Sequence, residues 1–399
     1  MAGFVPAIHE AIVQLFSWMT GPSPVMTVWC GKDMGFNCGI VGLPNVGKSA
    51  LFNALTATQA AETTKYAFST REPNIGRVAV PDERLAVCAR LAKSAKIIPT
   101  QLEFVDIAGL VRGASKGQGL GNQFLGHLRE VDAIAHIVRC FEDDNVVHVE
   151  GSVDPIRDIE TVETELMLAD LDSLERRSVA VQKRVRGGEK EARALLAVIE
   201  PVLAGLQDGV PARRAALAPE QQADLRALQL LSAKPVLYIA NVDEASAGKG
   251  NELSRRVADY AATQGAETVV ISAAIEAELA VLADPAERAE FLTALGLGET
   301  GLDQVIRTGY TLLDLITFLT AGPKEARAWT IPRGTKAPQA ARVIHSDFEK
   351  GFIRAETIAY ADFVACGGEQ GAKDSGKMRL EGADYVVQDG DVMHFRFNV

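Results

Sequence analysis

Gly42-Leu43-Pro44-Asn45-Val46-Gly47-Lys48-Ser49 is the stretch of this chain best suited to chemistry. It follows an apolar run, Cys38-Gly39-Ile40-Val41, and opens into a helix-forming run, Ala50-Leu51-Phe52-Asn53-Ala54-Leu55. A buried strand turning through two glycines into a helix makes GxxxxGK[ST] a phosphate-binding loop rather than an ordinary glycine-rich turn. The glycines let backbone N–H groups close on a polyphosphate, and the helix N-terminus adds partial positive charge. Lys48 is then placed to reach the terminal phosphates, and the Ser49 hydroxyl to coordinate Mg2+.

Two later stretches extend this chemistry. The loop from Lys65 to Asn74 carries Thr70, whose hydroxyl and carbonyl are candidates to close over Mg2+ and the γ-phosphate. Leu102-Glu103-Phe104-Val105-Asp106 reads as a buried strand ending in an acid, with Gly109 three residues on. Asp106 is suited to hold a Mg2+-bound water, and Gly109 to offer its N–H to the γ-phosphate. The following segment to Gly126 is rich in glycine, so its backbone can order on ligand binding. Asn122 stands where a dinucleotide fingerprint needs glycine. Leu110 occupies the position of a water-orienting Gln, and a leucine cannot polarise water. Hydrolysis then needs another side chain or a bound cation, or runs slowly on charge stabilisation from Lys48 and Mg2+ alone.

The base end is divergent. A strand from Pro235 to Ala240 ends in Asn241-Val242-Asp243-Glu244, and another from Thr268 to Ile271 ends in Ser272-Ala273-Ala274. Guanine switches carry NKxD and an SA-containing loop at these places. Here Val242 replaces the Lys and Glu244 the final Asp, so guanine specificity is in doubt and adenine is admissible.

The elements that must position these residues fit a chain of 399 residues, long enough for two or three domains. Apolar content of 47% and charged content of 23% exclude wholesale disorder. A net charge of −11 argues against broad nucleic-acid binding, so any RNA contact must be local. The five cysteines form no CxxC pair, which suggests reduced thiols and no zinc. No run approaches the roughly 18 apolar residues of a membrane helix. Residues 1–33 lack the basic region of a signal peptide. They read either as an over-extended start ahead of Met34 or as an amphipathic arm built on Ile12, Leu15, Phe16 and Trp18, the first reading being preferred.

After a strand at Val131 to Val138 the pattern becomes helical. Ile159, Val162, Leu166 and Ala169 are spaced 3-4-3, and Leu195, Ile199, Val202 and Leu206 are spaced 4-3-4, which predicts an antiparallel helical pair with its tip at Arg186-Gly187-Gly188. A first helix over 154–185 would extend on the order of 45–50 Å. Its distal end gathers Arg176, Arg177, Lys183, Arg184, Arg186 and Lys190, which suit either phosphate-backbone contacts or a solvated helix face. From about Leu302 the pattern is mixed, with a strand and turn over 329–334, a helix over 337–345 and two strands over 384–397 predicted in a small binding module.

These residues resemble one family. The stretches GLPNVGKS at 42–49, DIAGLVRGASKGQGLGNQFLG at 106–126, Arg139-Cys140-Phe141, NVDE at 241–244 and the ending GKMRLEGADYVVQDGDVMHFRFNV are similar to the YchF / Obg-like ATPases, over residues 34–399. The resemblance implies an α/β fold: a P-loop NTPase G domain with an inserted helical coiled-coil arm and a C-terminal ubiquitin-like (TGS, β-grasp) domain. The corresponding boundaries are 34–150 and 225–305 for the G domain, 151–224 for the insertion and 306–399 for the TGS domain. It implies preference for ATP over GTP and association with ribosomes. The scattered cysteines suggest a cytoplasmic setting, RNA contact is expected through the arm or the TGS domain, and neither membrane nor DNA is expected as a partner. Carried onto this sequence, Asn45, Val46, Gly47, Lys48, Ser49 and Ala50 hold phosphates, Ser49 and Thr70 hold Mg2+, and Val242 touches adenine. His148 matches the histidine that members use for hydrolysis in place of the missing Gln. Ala50 for the usual Thr and Ala67 for a switch-loop Pro are departures beside ligands rather than at them. Asn45 also raises the possibility of K+ coordination. The expected function is a Mg2+-dependent ATPase acting as a ribosome-bound switch, with a GTP-specific switch and a nucleotide-gated scaffold as rivals.

Overall fold

The computed structural model describes residues 36–57, 74–107, 120–282 and 284–398. The expectations for residues 1–33 and for Thr70, Gly109 and Leu110, with most of both switch segments, lie outside the described residues. The chain divides into two compact units, one holding 36–81 and 99–316, the other 82–98 and 317–399.

The first unit is built on a six-stranded sheet. Its strands are β1 (Asn37–Val41), β2 (Asn74–Ala79), β4 (Gln101–Asp106), β5 (Ala133–Arg139), β6 (Val236–Asn241) and β7 (Glu267–Ile271), in spatial order β2-β4-β1-β5-β6-β7. Only the β2–β4 pair is antiparallel. β5 and β6 are buried along their whole length, as apolar runs covered on both faces require. The parallel register sets Asp106 beside Ile40, so the acid emerges at the same end of the sheet as the loop that follows β1. That loop runs into helix α1 (Lys48–Ala57), whose Leu51, Phe52, Ala54 and Leu55 face the core.

Two long helices follow, α2 (Pro155–Arg186) and α3 (Lys190–Gln207). Asp154 caps α2 by accepting from the Ile156 N–H, Pro155 opens it, and Gly187 with Gly188 (φ 87) turns the chain back. The helical pair exists, but its seam differs from the sequence expectation. Ile159, Val162, Leu166 and Ala169 are buried in the core of the sheet unit, whereas Leu195, Ile199, Val202 and Leu206 pack in a separate cluster with Leu174 and Val181. The reason is length. With 32 residues against 18, α2 has a half that α3 cannot cover, and that half lies against the sheet unit. Buried Asp170 fixes this half by accepting from the Leu231 N–H at 2.9 Å and from the Ser232 N–H and hydroxyl at 2.7 Å each. Glu163 adds bonds from Arg213 and the Tyr238 hydroxyl.

The second unit has its own six strands, β3 (Lys96–Ile98), β8 (Leu315–Ala321), β9 (Glu325–Pro332), β10 (Phe352–Ile358), β11 (Arg379–Glu381) and β12 (Val392–Phe397), ordered β11-β10-β12-β8-β9-β3. Two features go beyond the sequence reading. Asp82–Ile98, placed by sequence within the G domain, belongs to this unit: β3 pairs with β9, and Arg84 bridges Asp82 and Asp389. Over 384–397 only β12 is a strand, and the stretch before it is a turn with one isolated bridge, Lys336 to Val386. Asp391 claims that turn through the Tyr385 hydroxyl and the Gln388 N–H, which leaves no second ladder to form.

Candidate functional site: a phosphate loop and its neighbours

The loop between β1 and α1 is shaped as a cradle. Asn45 and Gly47 both have positive φ, 62° and 99°. A Cβ on Gly47 would lie 2.3 Å from Asn241 Nδ2, and one on Gly42 would lie 2.7 Å from the Ile137 carbonyl, so both glycines are required by close approach. Val46 is buried, and its carbonyl accepts from Asn241 Nδ2 at 2.9 Å, so it offers a ligand only its N–H. Ser49 and Ala50 are exposed in the first turn of α1, where the helix N-terminus favours an anion.

Lys48 Nζ forms an ion pair with Asp106 Oδ1, both side chains being largely buried. The cation expected at the phosphates and the acid expected at the metal are therefore already in one cluster. A polyphosphate carrying a divalent cation offers each of them a new partner of opposite charge. The glycine cradle and this pair fit a Mg2+–nucleotide.

At the base end, Asn241 spans two loops: its Oδ1 accepts from the Ala273 N–H at 2.9 Å while Nδ2 holds Val46. Its side chain is thus spent on holding the phosphate loop against the β7 exit. Val242 is buried and its N–H donates to the Ile271 carbonyl at 2.8 Å, so only its carbonyl can meet a base. Asp243 accepts from the N–H and hydroxyl of Ser246 at 3.0 Å each, which makes it a turn cap. Glu244 is exposed at the start of that turn.

The β5 exit loop comes next to the cradle. Arg139 is buried with no carboxylate partner among the described residues and donates to the carbonyls of Phe141, Asp143 and Val146, so one guanidinium shapes the loop. Asn45 Nδ2 donates to the Val147 carbonyl at 3.0 Å, tying the loop to the phosphate cradle. His148 is buried, with Nε2 2.8 Å from Asp158 Oδ2 and Nδ1 accepting from the Glu150 N–H at 3.1 Å. The partners assign the Nε2–H tautomer, and both ring nitrogens are taken. The structure therefore places His148 in the loop tied to the cradle, with its ring buried against Asp158.

Sequence reasoning missed Arg139 as a loop organiser, and Asp158. The first had a visible signal, a charged residue closing a strand with no polar neighbour. Asp158 had none, being one acid among several in α2.

The family described as "50S ribosome-binding GTPase" matches residues 37–183 by its profile, and the profile YchF-GTPase_C, described as "Protein of unknown function (DUF933)", matches residues 315–398. A protein of Haemophilus influenzae named "Ribosome-binding ATPase YchF" is 57% identical over 366 residues, covering 92% of this chain and all of its own. The chain belongs to the YchF family. A Bacillus subtilis YchF of the same description is 52% identical over 368 residues, again 92% of this chain and all of its own. The solved Schizosaccharomyces pombe YchF GTPase superposes with a TM-score of 0.81 at 36% identity, covering 93% of this chain and all of that one. The YchF assignment agrees with the α/β architecture, a P-loop GTPase-type unit followed by the YchF C-terminal domain.

Proposed function

We propose that this YchF-family chain is a Mg2+-dependent ATPase that associates with ribosomes as a nucleotide-controlled switch. The observation that carries the reading is the phosphate cradle with Lys48 and Asp106 paired at its mouth, in a chain 57% identical over 92% of its length to a protein named a ribosome-binding ATPase. Ser49, Thr70 and Asp106 are the residues that would hold Mg2+, which when bound neutralises phosphate charge and fixes the nucleotide. Asn45, Gly47 and Ala50 are the residues that would meet the phosphates, and the Gly109 N–H is expected to join them. Lys48 stabilises charge on the γ-phosphate as the water oxygen bonds to phosphorus and the bond to the β–γ bridging oxygen breaks. His148 places that water, a role that requires its ring to leave Asp158.

Adenine is the preferred base because Val242 and Glu244 replace the guanine-reading pair, and Asp243 is engaged as a turn cap. K+ at Asn45 Oδ1 is compatible with the amide's Nδ2 bond to Val147. Equal turnover in K+ and Na+ would remove that idea. Among the described residues no helix is long and apolar enough to cross a membrane. The proposed ribosome association is what supports a cytoplasmic location. RNA contact through the arm or the C-terminal domain, read as TGS, completes the proposal.

The test is competition binding of ATP and GTP followed by nucleotide-dependent co-sedimentation with ribosomes. Tight GTP binding without ATP binding, or co-sedimentation indifferent to nucleotide, overturns it. The inward-turned His148 favours one second reading, a nucleotide-gated scaffold in which hydrolysis is incidental. His148→Ala that keeps binding, loses turnover and preserves the cellular role would select the scaffold.

A further inference from the structure

Val147-His148-Val149 is turned against its own hydropathy. The two valines are 75% and 50% exposed, while the imidazole-bearing residue between them is 8% exposed. Apolar burial alone would invert this arrangement, so directional bonds must hold it. They are on both sides of the ring and along the main chain. Asp158 Oδ2 accepts from Nε2–H at 2.8 Å, and Glu150 N–H donates to Nδ1 at 3.1 Å. Arg139 holds the Val146 carbonyl at 2.8 Å and Asn45 the Val147 carbonyl at 3.0 Å.

Asp158 is itself buried, and its other oxygen accepts from Arg157 Nη2 at 3.3 Å. It sits in the first turn of α2, where its N–H donates to the Asp154 carbonyl. The ring is thus gripped by the root of the helix whose far end carries the exposed basic cluster.

We propose that Asp158 is a positioning residue that latches His148 away from the phosphate loop, so that release of the ring is set by the first turn of α2. The proposal rests on the reading that His148 places the hydrolytic water. A displacement of α2 by about 1 Å takes the 2.8 Å contact beyond hydrogen-bond range. The freed ring then exchanges places with flanking valines, whose burial offsets the broken bonds. Asn45 keeps the Val147 backbone at the cradle throughout, which makes that carbonyl the pivot.

The test uses the full chain with Asp158→Asn, Asp158→Ala, His148→Ala and the Asp158→Ala/His148→Ala double variant. Losing a charge-assisted bond predicts single-turnover ATP hydrolysis at saturating nucleotide raised roughly tenfold in Asp158→Ala, and less in Asp158→Asn, whose amide oxygen still accepts. Nucleotide affinity stays within about twofold, and the rise disappears in the double variant. Imidazole 15N NMR reads the latch without activity: His148 shows a fixed Nε2–H tautomer in the parent and averaged nitrogens in Asp158→Ala. If Asp158→Ala fails to fold, Asp158→Asn carries the same comparison at smaller amplitude. Turnover lowered or unchanged by Asp158 substitution, with His148→Ala inactive, overturns the latch and leaves the catalytic reading standing. Turnover untouched by His148→Ala overturns the catalytic reading and the latch together.

Discussion

The Asn45 side-chain amide donates to the Val147 carbonyl at 3.0 Å, joining the phosphate loop to the segment that carries His148. Asn45 has φ 62°, so glycine is the substitution that removes the bond without straining the backbone. A net hydrogen bond is worth about 1 kcal/mol, or roughly fivefold in a local opening equilibrium. Asn45→Gly is therefore expected to speed amide hydrogen exchange across 146–151 about fivefold while leaving β5 and β6 unchanged. Exchange rates equal to the parent's would show that the Arg139 and His148–Asp158 bonds hold the loop without Asn45.

Asn241 is the second clamp on the cradle, and the clearer one for nucleotide affinity. Asn241→Ala strips the partner from a buried carbonyl, Val46, and a buried N–H, Ala273. Two unsatisfied backbone groups cost about 2 kcal/mol or more, which predicts at least ~30-fold weaker nucleotide binding by calorimetry. Gly47→Ala should do the same by another route, since its Cβ would sit 2.3 Å from Asn241 Nδ2 on a backbone at φ 99°.

The two clamps also mark how far the sequence could be read. The cradle, Lys48, Asp106 and the strands between were legible because strand, glycine spacing and helix are local patterns that repeat a chemical requirement. Asn241 was legible as a base-loop residue, but its use as a clamp depends on Val46 lying across the sheet, a contact separated by 195 residues. The helical pair was legible by period, and its seam was not. Period reports that a face is apolar without saying whether it meets α3 or the sheet unit. Asp82–Ile98 carried no sign of its allegiance, because β3 is three residues long and its partner β9 lies more than two hundred residues on.

Glu276 predicts a pH effect on stability. It is buried in the first turn of the helix Ala273–Val281, accepts from the Gly301 N–H at 2.7 Å with Oε1, and leaves Oε2 without a hydrogen-bond partner among the described residues. Burial pushes its carboxyl up from 4.5 to about 7, with Asp303 adding to the rise and the Gly301 and Leu302 donors opposing it. The folded state then binds the proton more tightly than the unfolded state does. Its stabilising contribution is complete below pH 4.5 and is lost as pH rises through 7. Glu276→Gln keeps an acceptor for Gly301 and never ionises. Its melting temperature should match the parent's near pH 4.5 and exceed it increasingly up to about pH 8, with a ceiling of about 3 kcal/mol. A difference independent of pH would assign the effect to packing.

The distal basic cluster separates by pairing. Arg176 is bonded to Asp172 and Arg184 to Glu189, whereas Arg177, Lys183, Arg186 and Lys190 are exposed and have no ion pair among the described residues. A paired guanidinium must give up its carboxylate to meet a phosphate, so it contributes less net affinity than a free cation. If the arm meets ribosomal RNA, replacing the four unpaired residues by alanine should weaken co-sedimentation with ribosomes and flatten its salt dependence by up to ~0.7–0.9 for each phosphate no longer neutralised. The Arg176→Ala/Arg184→Ala double variant should weaken it less. ATP affinity and melting temperature should stay close to the parent's in both, because these side chains lie outside the cradle and the buried seam. Equal losses from the two sets would mean that the Asp172 and Glu189 pairs open at no cost on the ribosome. No loss from either set would leave the cluster as a solvated helix face.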